Sequence, residues 1–262
     1  SESVTMESNV DGFKIEYNKI HDVTNIAIDA AGFYDNDVTT AGMNQARNGR
    51  IAHNLIYQIF SPNASCAGIY VDGGRDIVIE RNTVHHSMFG IEVGCENPFD
   101  ETNPTIRAIV RNITVRDNFI YDNSKLGIGV GGYDGERTGQ VINTKIYNNT
   151  LFNNRNEIEI GYSDNIEISK NIVYSLGDNY LITHNTANQA TNIRLSENTY
   201  FAGTGQGKFK FNNMYAYNLA DWQQNSGQDL DSIFSDPLFK DTAKRQLSLK
   251  AGSPAVGKGV RP

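Results

Sequence analysis

Acidic side chains recur within short phrases of this chain that are rich in glycine, valine and isoleucine. "GIYVDGG" (68–74) carries Asp72, "GIEVGCE" (90–96) carries Glu92 and Glu96, "IAIDAAG" (26–32) carries Asp29 and "EIEIGYS" (157–163) carries Glu159. Alternation puts Ile69 and Val71 on one side of an extended strand, and Tyr70 and Asp72 on the other. Stacked in register, one outward column reads Asp29, Tyr70, Glu92, Gly129, Glu159. Its neighbour reads Ala31, Asp72, Gly94, Gly131, Gly161, His184. Asp72 is then diagonal to both Asp29 and Glu92, with about 7–8 Å between Cβ atoms. Carboxyls that close raise one another's pKa unless a cation sits among them.

Two chemistries use such a group. In the first, Asp72 and Glu92, with Asp29 beside them, are the protonated and ionised carboxyls that flank a glycosidic oxygen during hydrolysis, and no metal is required. In the second, Asp29, Asp72 and Glu92, joined by Glu96, hold Ca²⁺, which prefers several oxygen ligands. That ion would neutralise a uronate carboxylate while a base removes the α-proton in a β-elimination. No Lys or Arg stands in either column; Lys125, Arg75 and Arg137 are the nearest. Hydrolysis therefore ranks ahead. Tyr70 and Tyr133 offer apolar ring faces to a sugar, and Gly129 and Gly131 leave main chain bare for a ligand to lie on. Glu96, Glu159, His184 and Lys125 complete the expected substrate contacts.

The elements that must position these residues are legible as a repeat. Asn-x-[Ile/Val/Leu]-[Tyr/His/Phe] recurs at Asn18, Asn54, Asn82, Asn118, Asn149 and Asn171, with a weaker copy at Asn198. The smallest spacing is 22 residues, so the surplus elsewhere is loop. A short alternating strand precedes each Asn, and another follows each of the first six phrases. Three strands per turn with a recurring Asn corner describe a parallel β-solenoid of about seven coils. A propeller blade needs about 40–45 residues, more than this pitch provides. Asn at one corner can stack its amide on the next coil. His21, His53, His85 and His86 fall in the corner phrases and read as packing.

Coils are expected over residues 1–203 and a capping region over 204–262, with one helix in "NLADWQQNSG" running from an Asn218 N-cap to a Gly227 stop. No matching N-terminal cap is visible, so upstream coils or a cap are expected. Insertions at 33–47, 58–67, 96–108 and 133–141 gather beside the acidic face as cleft walls.

The net charge is −7 with no basic block, which argues against nucleic acid as a partner. No apolar run reaches the roughly 18 residues of a membrane span. Cys66 and Cys95 fall at opposite ends of neighbouring strands, too far apart for a disulfide.

The Asn corners, "GIYVDGGRDIVIERNTVHH", "GIEVGCE", "GIGVGGYD" and the "DPLF…GSPA" ending resemble the bacterial right-handed parallel β-helix proteins of the pectate-lyase-like superfamily. The resemblance runs from Asp11 onward. It implies the all-β right-handed parallel β-helix and a carbohydrate-active protein, secreted or at the cell surface, acting on a polysaccharide or oligosaccharide. The superfamily includes polysaccharide lyases, glycoside hydrolases, epimerases and phage tailspikes, so the chemistry rests on the site; a non-catalytic glycan-binding module using the same trough is the further alternative.

Overall fold

The structure is a computed structural model of the 262-residue chain and describes residues 2–34, 44–96, 108–132, 139–184 and 190–260. Isoleucines, valines and leucines at every second position bring three strands of each coil onto three faces of a prism. Each face is a sheet whose neighbours along the sheet come from successive coils. The first sheet runs from Val4–Met6 through Ile28–Ala30, Ala67–Asp72, Phe89–Gly94, Leu126–Val130, Asn156–Ile160 and Tyr180–His184 to Lys208–Phe211, and all of these pair in parallel. Met214–Ala216 then closes the sheet antiparallel. The second and third sheets hold seven and eight strands, which fits about seven coils.

Like stacks on like inside the prism. Ile69, Ile91, Ile128, Ile158 and Ile182 are mutual neighbours across the first sheet and none is exposed. Ile51, Ile79, Val115, Ile146 and Ile168 do the same in the second, as do Ile56, Val84, Ile120, Leu151 and Val173 in the third. Parallel strands buried on one face need no long connection here, because each coil supplies one strand to every sheet.

The Asn corner is a continuous ladder. From Asn18 to Asn171, each Asn donates its backbone N–H and its Nδ2 to Oδ1 of the next Asn at 2.9–3.1 Å. From Asn54 onward Nδ2 also reaches a backbone carbonyl of the preceding coil. The residue before each of these Asn, from Tyr17 to Glu197, takes a left-handed conformation with φ between 54° and 60°. That conformation costs about 1–2 kcal/mol for an L-residue, and the buried amide bonds offset it. Asn198 ends the ladder, giving Nδ2 to Asp229 and its N–H to Ser232 Oγ. Asp229 also accepts from Trp222 Nε1 and Tyr200 Oη at 2.9 Å each.

A second, shorter ladder runs at the next corner through Ser87, Asn123 and Asn154 and stops on the carboxylate of Glu157, which is wholly buried. The histidines pack as expected. His21, Tyr57, His85 and Tyr121 stack face to face at 4.7–5.1 Å outside the third sheet. Burial and the neighbouring His86 lower the His85 pKa to about 4.

The expected helix forms as Leu219–Ser226, with Asn218 accepting from the Asp221 N–H and Gly227 at φ 68°. It seals the end of the core by laying Trp222 on Phe209 at 5.2 Å. Two expectations about the ending need correction. The coils do not stop at 203, because Lys208–Phe211 still pairs in parallel with Tyr180–His184 and Ile233–Phe234 with Thr199–Ala202. The segment after 235 does not cap the end either. It runs back along the third sheet, where Phe239, Leu247 and Ala255 bury Phe152, Ile172 and Tyr174. Arg245 grips Asp122 through Nε at 2.6 Å and Nη2 at 2.9 Å, and the Val260 N–H reaches Thr150 Oγ1. Cys66 and Cys95 are both free and buried.

Candidate functional site

The outward column of the first sheet has the expected register. Asp29 lies beside Tyr70, Tyr70 beside Glu92, Glu92 beside Gly129 and Gly129 beside Glu159. Asp72 lies beside Gly94, which makes it diagonal to both Asp29 and Glu92. The column continues past the sequence reading through Thr183 and Lys210 to Tyr215.

These residues divide into two groups. Asp29, Asp72 and Glu96 form the first, one end of the face nearer the N-terminus. Tyr34 donates its hydroxyl to Asp72 Oδ2, while the Glu96 N–H donates to Asp72 Oδ1 at 3.0 Å. Asp29 is 5% exposed and Asp72 1%. Burial pushes the Asp29 carboxyl up to about 8, with Asp72, Glu2 and Glu96 adding like charge. Burial also raises Asp72, against the bonds from Tyr34 and Glu96, and raises Glu96, with Asp72 adding to it. Tyr70 lies beside this group in a small outer cluster with Ile26, Ala67 and Phe89.

Glu92 belongs to the second group. It lines a cleft of about 350 Å³ together with Lys125, Arg155, Glu159 and a floor of Gly129, Gly131 and Gly161. A Cβ on Gly131 would lie 2.5–2.8 Å from the backbone of Gly161 and Tyr162, so the bare floor is also a packing requirement between coils. Lys125 Nζ sits 5.6 Å from the Phe89 ring centroid, and Thr183 Oγ1 reaches Glu159 Oε2 at 3.5 Å. Two acids and two cations therefore face one another across glycine.

Two placements differ from the expected ones. The Asp29–Asp72–Glu92 trio has the expected diagonal register but not one shared setting: Tyr34 donates to Asp72, and Glu92 lines the neighbouring cleft. His184 does not join the outward glycine column. It pairs with Ile160 and Phe211, is 2% exposed, and packs on the Phe211 ring at 5.0 Å. The "YLITH" strand takes Ile182 as its inward residue, which turns His184 inward as well. Tyr133, Arg137 and most of the insertions at 33–47, 96–108 and 133–141 lie outside the described residues.

Arg155 was missed. Its strand aligns Asn156 with Leu126, so Arg155 occupies in its coil the corner position that Lys125 holds in the coil before. That register was the available signal.

Among the described residues, Asp29, Asp72, Glu92 and Glu96 do not converge as a Ca²⁺ site. Both Asp72 oxygens already accept protein hydrogen bonds, Glu92 lies in the other group, and no three His, Cys, Asp or Glu among the described residues are placed to share a metal ion. Asp29 Oδ1 is buried with no hydrogen-bond partner, a setting that favours the neutral carboxyl.

A family model described as "right handed beta helix region" matches residues 42–221. An uncharacterized protein of Bacillus subtilis (strain 168), YwoF, is 31% identical over 267 residues, covering 97% of this chain and 55% of YwoF. The chain thus spans about half the length of that relative. No solved structure matches.

Proposed function

The chain belongs to the right-handed β-helix family, and on that premise we propose that it is a secreted or cell-surface enzyme that hydrolyses a polysaccharide in the glycine-floored cleft of the first sheet. One observation carries the reading: Glu92 and Glu159 flank the bare main chain of Gly129 in one column of one cleft. Their strands are two spacings apart, about 10 Å between backbones. Side chains leaning over Gly129 bring the carboxyls into the roughly 6.5–9.5 Å range that admits a water between them. One glutamate protonates the glycosidic oxygen and the other activates that water, so the product anomer is inverted. Lys125 and Arg155 hold acidic or hydroxyl groups of the sugar on either side. The aspartates of the first group serve as a proton-rich wall and are not the reacting pair.

The test is incubation with polygalacturonate, alginate and xylan while following reducing ends, ultraviolet absorbance and product anomer. New reducing ends without absorbance are expected, and Glu92→Gln and Glu159→Gln should each lower kcat by about 10²–10⁴-fold. Full activity in either variant would remove the pair. Lys125 and Arg155 in the same cleft favour a second reading, β-elimination on a uronate with one of them as base. In that case an absorbing unsaturated product accumulates, and Lys125→Ala or Arg155→Ala abolishes it.

A further inference from the structure

The outward column does not end at the cleft. Beyond Glu159 it passes through Thr183 and Lys210 to Tyr215, four strand spacings from Gly129, or about 19 Å. There the sheet turns from parallel to antiparallel, and the last strand, Met214–Ala216, presents aromatic rings to solvent. Tyr215 is 51% exposed and Tyr217 52%, while Ala216 between them is buried against the core. Tyr180 stands beside them with its ring centroid 6.5 Å from that of Tyr215, tilted by 43°.

The rings rest on a firm base. Lys208 lies with Nζ 5.7 Å from the Tyr180 centroid and is held there by Asp178 at 2.5 Å. Phe209 and Ala216 pair beneath the surface, and Trp222 stacks on Phe209. A solvated sheet end has no need of three tyrosines. Aromatic rings with apolar faces and polar rims suit one ligand class in particular, a pyranose whose C–H face stacks while its hydroxyls meet the phenols.

Resting on the reading of this face as a polysaccharide groove, we infer that Tyr180, Tyr215 and Tyr217 form a remote subsite that holds the same glycan chain several sugar units away from the cleft. The charge order along the face agrees with a chain lying lengthwise: buried acids at one end, the mixed cleft in the middle, and Lys208 and Lys210 among the tyrosines at the other. The cleft cleaves; the tyrosine platform retains the polymer. Only substrates long enough to span both regions benefit.

The experiment compares kcat/KM on the polymer that the wild-type protein cleaves with that on its shortest cleavable oligosaccharide, for Tyr215→Ala, Tyr180→Ala and Tyr215→Phe. On polymer the alanine variants should lose about 3- to 10-fold, mainly through KM. On the short oligosaccharide they should stay within about two-fold of wild type, and Tyr215→Phe should keep most of the polymer advantage. Unfolding midpoints equal to wild type establish that the variants fold. Unchanged polymer kinetics in both alanine variants overturns the platform and leaves the cleft standing. Equal losses on polymer and short oligosaccharide also overturn it, since the tyrosines would then act on the cleft. A wild-type protein that neither binds nor cleaves any glycan overturns cleft and platform together.

Discussion

Asp29 and Glu92 stand in the same outward column, with Tyr70 between them, yet their surroundings differ. Asp29 is buried among other acids, with its carboxyl at about 8, whereas Glu92 opens onto a cleft that also holds two cations. The Asp29 shift has a consequence for stability. Its folded pKa lies above the unfolded value near 4, so the native state holds the extra proton between those limits. The contribution is fully present below about pH 4, falls as pH rises through the folded value near 8, and is flat above it. Thermal unfolding should therefore show a midpoint that drops between pH 5 and pH 8.5. Asp29→Asn should drop less, gaining on the order of 1–3 kcal/mol at the alkaline end, about 2–8 °C. Parallel curves for the two proteins would show that Asp29 is ionised in the fold.

At the scale of elements, the ladders decide which corner matters. Asn149 is wholly buried and accepts both the N–H and the Nδ2 of Asn118 on one oxygen. Asn149→Ala leaves those donors unpaired and should cost about 2–4 kcal/mol in denaturant unfolding. Asn143 also stacks, on Asn112 and Asn165, but at an exposed corner. Asn143→Gly keeps its left-handed backbone and should cost about 1 kcal/mol or less. Equal costs would show that burial is not what gives the inner ladder its weight. The inner ladder and the alternating strands were legible because both repeat in sequence. The second ladder was not, because its members are Ser87, Asn123, Asn154 and Glu157, four positions with three residue types and no shared phrase. The cleft was half legible. Column membership of Glu92, Gly129 and Glu159 followed from period-two alternation, but the different setting of Asp72 depends on Tyr34, which opens the insertion after "IAIDAAG" and has no counterpart in the repeat. His184 was misplaced because "YLITH" offers two adjacent apolar residues, Leu181 and Ile182, and it is Ile182 that aligns with Ile158.

For the whole molecule, the returning C-terminal segment is a lateral strap. Phe239 is 4% exposed and meets Phe152 and Tyr174 at 6.0 Å on the third sheet. This face lies on a different side of the prism from the cleft. Phe239→Ala should lower stability by about 3–5 kcal/mol while leaving kcat on any cleaved glycan unchanged at temperatures where the protein stays folded. A matching loss of kcat in the folded variant would show that the strap shapes the cleft. The helix that carries Trp222 belongs instead to the end of the core, where a change would be felt by the tyrosine hairpin first.

The inner Asn ladder makes groove length a quantised property. Every rung offers the same donors on one side and the same acceptor on the other, so excising residues 149–170 sets Asn171 against Asn118 with the inner ladder's joint chemically intact, while Glu159 and the second ladder's Asn154 and Glu157 leave with the coil. Copy number, more than side-chain chemistry, would then fix how far apart two stations on the first sheet stand. Each whole coil removed would shorten that ruler by about 4.8 Å, whereas a cut that ends between corners would leave a mismatched joint.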